Sequence, residues 1–261
     1  MDNYGRIYMD GKYVDVVAPN MFQLYAILNY MVIYDAGRYN LIAQACNPDK
    51  PGIIADVGGS IGQSVLLYSR LFPQRGFVCV EPSEYNLKYL RKNSIGYDVD
   101  IIKAAFGDRV EKRTLSFPDH EQKRRPDIES NSGLFSLGGR GKVVEELTTT
   151  TMDEALWNKT LFYLDLDVEG FELEVIRGGK RIIERDRPYI LIEIDEENQL
   201  MCGHKTEEIF DEMKSIGYLK SLESTRDCLF IPKELKDDFR SRIGQQSQGS
   251  SGFSLRDDPK S

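Results

Sequence analysis

A handover repeats along this chain and limits what it can fold into: a short apolar run gives way to an amphipathic stretch, which gives way to another apolar run. Ile53 to Val57 is followed by Ile61, Val65, Tyr68 and Phe72 at helical spacing, Phe77 to Val80 by a helix from Ser83, and Val99 to Ala104 comes next. The rhythm resumes at LFYLD, Leu161 to Asp165, passes through a helix ended by Gly178 and Gly179, and reaches YILIEI, Tyr189 to Ile194, after Pro188. Strands that are apolar throughout are buried on both faces, and their alternation with amphipathic helices builds a parallel sheet with helices on either side. A helix near Thr206 to Ile216 then leads to two short strands, Leu219 to Leu222 and Cys228 to Ile231, that fit an antiparallel edge. The chain is therefore predicted to be α/β, with a mostly parallel, doubly wound sheet and an antiparallel C-terminal edge.

With 261 residues, 41% of them hydrophobic and 29% charged, one full domain with elaborations can be built, and residues 51–243 are assigned to it. Residues 1–50 form an N-terminal extension. GRIYMDGKYVDVV alternates around Asp10 and Gly11 as a hairpin does, and a helical stripe follows at Met21, Leu24, Tyr25, Leu28, Met31 and Val32. That stripe is expected to pack on the domain or on a second copy of the chain, making a homo-oligomer, rather than on a membrane. Residues 118–142 are polar and rich in Gly, Ser, Pro and charge, too long for an ordinary connection, and are expected to be either disordered or, as the favoured reading, an active-site loop. Residues 244–261, with QQSQGSSG, lack the apolar content to fold alone.

The net charge of -8 gives no bulk attraction for nucleic acid or an anionic membrane. Lys123 to Arg125 is the one basic run, and it reads as a solvated loop face. Cys46, Cys79, Cys202 and Cys228 have no metal-ligand spacing, and no apolar run has signal-peptide or membrane-spanning form. A cytoplasmic protein with a small-molecule or glycan partner is expected.

The strand-to-helix turn DVGGSIGQS, Asp56 to Ser64, is where the fold meets chemistry. Glycines there let backbone N–H groups approach a polar ligand at the helix N-terminus. Ser60 stands where a dinucleotide fingerprint has its second glycine, so the turn does not read G-x-G-x-x-G. Asp56-x-Gly58-x-Ser60-x-Gly62 follows instead the D-x-G-x-(G/N)-x-G variant of S-adenosylmethionine enzymes. Glu81 ends the next strand, where a carboxylate can accept hydrogen bonds from both ribose hydroxyls.

Further stretches stand in register with this turn: CVEPSEYNLKYLRKN (Cys79 to Asn93), AAFGD (Ala104 to Asp108), SNSGLFSL (Ser130 to Leu137), TTTTMDEAL (Thr148 to Leu156) and LDLDVEGFELEVIRGG (Leu164 to Gly179) followed by RPYILIEID (Arg187 to Asp195). From Gly52 to Asp195 the chain resembles the FkbM-type methyltransferase family. That resemblance implies a class I, Rossmann-like methyltransferase fold, S-adenosylmethionine as cofactor and methyl transfer to a hydroxyl of a sugar, glycan or secondary metabolite. By position, Asp56, Gly58, Gly59, Ser60 and Gly62 would shape the methionine end of the cofactor pocket. Glu81 would hold the ribose, and Ala105, Phe106 and Asp108 would lie near the adenine. The family commonly has lysine where this chain has Asp165.

Methyl transfer from a sulfonium is an in-line displacement, and a hydroxyl acceptor must also lose its proton, which a carboxylate can accept. The catalytic candidates are Asp165, Asp167 and Glu169, which share one side if the strand persists. A divalent metal held by Asp165 and Glu193 is the second choice. Glu169 and Glu172 could instead cap the helix that follows. His120 and His204 are weaker base candidates, read as exposed loop residues, and Asn131, Ser132 and Ser136 could bind a sugar. Two competing functions remain: a nicotinamide-dependent oxidoreductase, and a catalytically silent protein that keeps the cofactor pocket.

Overall fold

Among the described residues, the strands form one large sheet and two smaller ones. The computed structural model describes residues 2–9, 12–21, 23–24, 43, 46–118, 132–138, 141–223 and 226–246. The strands are β1 (Asn3–Met9), β2 (Lys12–Ala18), β3 (Ile53–Val57), β4 (Phe77–Val80), β5 (Val99–Ile102), β6 (Ala105–Phe106), β7 (Lys112–Pro118), β8 (Gly141–Thr150), β9 (Leu161–Leu166), β10 (Tyr189–Glu193), β11 (Tyr218–Glu223) and β12 (Asp227–Pro232). The bounded helices among the described residues are α1 (Gln63–Leu71), α2 (Glu84–Asn93), α3 (Met152–Leu156), α4 (Glu172–Gly178), α5 (Lys180–Asp186), α6 (Glu196–Cys202), α7 (Thr206–Ser215) and α8 (Lys236–Gln246).

The large sheet has the order β11-β12-β10-β9-β3-β4-β5. β5, β4, β3, β9 and β10 run parallel, while β12 pairs antiparallel with both β10 and β11. This is the mostly parallel, doubly wound sheet with an antiparallel C-terminal edge expected of the class I methyltransferase fold. From β3 the chain steps outward to β4 and β5, then returns to the other side of β3 at β9. Strand order therefore reverses between β3 and β9, and ligands of open α/β sheets bind outside the carboxyl ends of the strands at such a point.

Each face of the sheet carries its own core. Tyr163 joins Tyr68, Phe72, Tyr189 and Phe239 on one face, and a register shift between β3 and β9 that skips Phe162 puts that ring on the same face. Strand alternation sends Leu164 and Leu166 to the other, against Val175, Ile176, Ile190 and Met213. β1 and β2 form an antiparallel hairpin with Arg6 opposite Asp15. The buried Asn93 at the end of α2 ties this hairpin to the core: its Oδ1 accepts from Val17 N (2.8 Å), and its Nδ2 donates to Val17 O (2.9 Å) and Ile61 O (2.7 Å). Of the helical stripe, Met21 is exposed and Leu24 is buried, while Tyr25, Leu28, Met31 and Val32 lie outside the described residues.

β7 and β8 pair antiparallel, with β6 on the far side of β8, and neither long strand stands out in the sequence. Lys142 to Val144 and Glu146 of β8 are exposed, so no inward stripe marks this end of the strand. The polar stretch 118–142 is the connection across this pair. Its described part makes a 3-10 turn at Ser132–Leu134, and Ser136 then exchanges backbone hydrogen bonds with Ser116, both 3.0 Å. Among the described residues no helix is long and apolar enough to cross a membrane.

Candidate cofactor and active site

A recess opens at the carboxyl ends of β3, β4 and β9. Val57, Gly58 and Ser60 of the glycine turn form one wall, and Val80, Glu81, Pro82 and Asn86 of the β4–α2 corner form the next. Ala104 to Phe106 and Leu115 supply an apolar side, which Gly133, Phe135 and Leu137 complete. Asp167, Val168 and Glu169 close the opposite end.

The glycine turn is built against β9. Gly58 has φ +102, and a Cβ there would stand 1.7 Å from the backbone oxygen of Asp167. The two strand ends approach too closely for any side chain. Ser60 also lies in the left-handed region, with φ +46, which accounts for the preference for glycine or asparagine at this point of the pattern. Its N–H donates to Glu81 Oε2 (2.9 Å), while Glu81 Oε1 accepts from Ser83 N (2.8 Å) and Asn86 Nδ2 (3.2 Å). These three donors use three of the roughly four acceptor sites of a carboxylate, leaving one for a ligand. Burial pushes the Glu81 carboxyl up to about 7 against the pull of those hydrogen bonds.

Asp56 plays a different part from its neighbours. It lies beneath the turn, accepts from the Ser64 hydroxyl and from Cys79 Sγ (3.2 Å), and does not reach the recess wall. Burial raises its pKa. Gly59 packs against Cys79 and Gly62 opens α1, so these two shape the turn from behind. Ala105 and Phe106 line the recess, whereas Asp108 pairs with Arg109 and faces a separate open cleft beside Trp157 and Arg177.

The three candidate carboxylates do not share one side, because β9 stops at Leu166. Asp165 still follows the strand alternation: it shares the Tyr163 face, hydrogen-bonds the Tyr68 hydroxyl and is not part of the recess wall. Asp167 and Glu169 follow the strand end and turn into the recess. Carboxylate oxygens of Asp167, Glu169 and Glu193 lie within 4.8 Å of one another, close enough to share one divalent cation. Asp165 stands outside this group, so the expected pairing of Asp165 with Glu193 is replaced by Asp167 and Glu169 with Glu193.

Crowding sets the electrostatics here. Burial in the recess and then the Glu169 charge hold Asp167 well above the usual carboxylate range, although the residue itself opens to solvent. Burial and then Glu193 raise Glu169, and the Asp167 charge, followed by burial, raises Glu193. Asp167 and Glu193 oxygens lie within 4.8 Å of each other, so the two carboxylates disfavour ionising together. Glu169 Oε2 accepts from Asn198 Nδ2 (2.6 Å), and its backbone oxygen accepts from Ser136 Oγ (2.7 Å). Arg226 reaches Glu193 (3.7 Å) and Asp195 (3.2 Å) at the rim.

His204 is buried rather than exposed, with Nδ1 3.6 Å from Glu174 Oε1. His120, Lys123 to Arg125 and Asn131 lie outside the described residues. Phe135, Leu137 and Val168 fall within quoted motifs without a role of their own, and Leu115 falls outside all of them. The signal available for Phe135 and Leu137 was their apolar character within a polar loop.

The recess fits S-adenosylmethionine: a cradle at Gly58 that a Cβ would fill, a carboxylate with one acceptor site left, and an apolar side for a purine. Sheet and recess together have the class I methyltransferase fold with its ligand recess at the switch point. More narrowly, the chain belongs to the methyltransferase FkbM domain family, whose model matches residues 56–220, and its cofactor is S-adenosylmethionine.

Solved structures similar to this chain include the methyltransferase FkbM from Methylobacillus flagellatus KT, at 14% identity and a TM-score of 0.47, covering 82% of this chain and 56% of that one. A second is the plantazolicin methyltransferase BpumL in complex with SAH, at 10% identity and 0.39, covering 82% and 77%. A third is a SAM-dependent methyltransferase from Aquifex aeolicus, at 13% identity and 0.40, covering 76% and 92%. The chain thus spans little more than half the length of the Methylobacillus structure. No curated protein matches it significantly in sequence.

Proposed function

We propose that this chain transfers a methyl group to a hydroxyl of a sugar, glycan or secondary metabolite, with Asp167 as general base. The observation that carries this reading is that Asp167 lines the same recess as Gly58, Ser60 and Glu81 while sitting among other carboxylates. S-adenosylmethionine supplies an electrophilic methyl group on a positively charged sulfur. An alcohol is a weak nucleophile, so a base near the acceptor contributes to the rate, and it works best when its pKa approaches the working pH. Crowding by the neighbouring carboxylates Glu169 and Glu193 moves Asp167 in that direction. Glu169, held by Asn198, stands at the same end of the recess.

The grouping of Asp167, Glu169 and Glu193 within 4.8 Å supports a second reading, in which a divalent cation orients and acidifies the acceptor hydroxyl. Turnover on candidate glycans, followed by mass spectrometry of the product, separates the two. With Asp167 as base, Asp167→Asn keeps cofactor affinity and lowers turnover about 10²–10⁴-fold, and chelation changes nothing. A wild-type rate that collapses on chelation and returns with Mg²⁺ moves the assignment to the cation, and a fully active Asp167→Asn removes the base.

A further inference from the structure

The turn that carries Asp167 and Glu169 is not self-supporting. Glu169 has φ +53 and Gly170 has φ +101, so two successive residues lie in the left-handed region, one of them not glycine. A Cβ on Gly170 would stand 2.5 Å from the Asn198 backbone oxygen, which keeps that position close against α6. Such a turn persists only if its surroundings hold it. Glu172, 1% exposed, does so from below: its Oε1 accepts from Val168 N (3.2 Å) and from Gly170 N (3.1 Å), the amides on either side of Glu169.

The other half of this carboxylate gains nothing from its position. Glu172 Oε2 is buried without a hydrogen-bond partner among the described residues, as are Glu174 Oε2, Gln199 Nε2 and both ring nitrogens of His204. A buried carboxylate with one unsatisfied oxygen is a poor contributor to stability, and an apolar side chain of similar volume would serve packing better. What an apolar side chain cannot do is accept from two amides at once.

We infer that Glu172 is a positioning residue, retained because its carboxylate oxygen clamps the Val168 and Gly170 amides and thereby holds Asp167, Val168 and Glu169 in the recess wall. The clamp acts on cofactor binding directly, since the Asp167 backbone oxygen is the atom against which Gly58 is packed. The inference rests on the recess being the cofactor site, and calorimetry of wild-type chain with S-adenosylmethionine supplies that reference independently of any variant.

The test compares Glu172→Gln, which removes the charge but keeps an acceptor oxygen, with Glu172→Met, which keeps the volume and removes the acceptor. Calorimetry with S-adenosylmethionine should show Glu172→Gln within about threefold of wild type and Glu172→Met weaker by about tenfold or more, the scale of amides left without a partner. Amide hydrogen exchange should quicken at Val168 and Gly170 in Glu172→Met, without the same change across β3 and β9. Equal affinities in the two variants, or exchange that rises evenly over the sheet, would reduce Glu172 to a packing residue. Should Glu172→Met fail to fold, wild-type exchange still decides: slow exchange at Val168 and Gly170 supports the clamp, and fast exchange at both overturns it.

Discussion

Replacing Gly58 by alanine should damage the protein far more than the same change at Gly96, and the difference measures how tightly β3 and β9 are joined beneath the cofactor. Both glycines are left-handed, with φ +102 and +88. A Cβ in that conformation costs about 1–2 kcal/mol. At Gly96 nothing lies within 4 Å of the added atom, so this strain is the whole effect. At Gly58 the added atom would stand 1.7 Å from the Asp167 oxygen, and no side-chain rotation can relieve it because the obstacle is backbone. Relief requires the two strand ends to part by more than 1 Å, against Asp167 N to Val57 O (3.1 Å) and Gly58 N to Val80 O (2.9 Å). Overpacking of this kind adds about 2–3 kcal/mol, so Gly58→Ala should lose about 3–5 kcal/mol in all. Urea denaturation of both variants, with calorimetry of S-adenosylmethionine binding, makes the comparison. Gly96→Ala should bind as wild type does, and Gly58→Ala should show no measurable binding. Equal stability losses, or a Gly58→Ala chain that binds within twofold of wild type, would show that the strand ends yield and that the cradle is not rigid.

Glu81→Ala should weaken S-adenosylmethionine by about 10- to 100-fold, from the loss of a hydrogen bond to a charged group; an unchanged dissociation constant in a folded variant removes Glu81 from the site. Glu81 and Glu172 are both raised from 4.5 to about 7, so the folded chain holds protons that the unfolded chain releases, and stability should fall as pH rises from about 4.5 through 7. Each contributes on the order of 3 kcal/mol to that fall, and a urea midpoint higher at pH 8 than at pH 5 would contradict it. Asn93→Ala should cost about 2–4 kcal/mol and expose the β1–β2 hairpin to limited proteolysis before the sheet is cut, whereas simultaneous cutting would mean that the hairpin is held by other contacts.

Much of this protein is decided locally. The burial of β3, β4, β9 and β10 on both faces is written as runs of apolar residues, and the turn between β3 and α1 is written as glycines at the positions where backbone geometry needs them. Glu81 at the end of β4 follows in the same way, because a residue that ends a parallel strand must face the carboxyl edge. The sequence by itself therefore determined the sheet, the switch point and the glycine-turn wall of the recess. Other features depend on distances that no local pattern carries. β8 is exposed where it leaves the core, so its pairing with β7 has no periodic signature. Asp165 and Asp167 differ only in where β9 stops: at Leu166 alternation ends, Asp165 stays with Tyr68 on one face, and Asp167 swings toward Glu193. That meeting joins the ends of two adjacent parallel strands, and Asp56 lies beneath the glycine turn only because Ser64 and Cys79 reach it from α1 and β4. Which carboxylates meet was decided by the tertiary structure alone, because a side chain's direction is set by the last residue held in a strand, and that hold comes from neighbours distant in the chain.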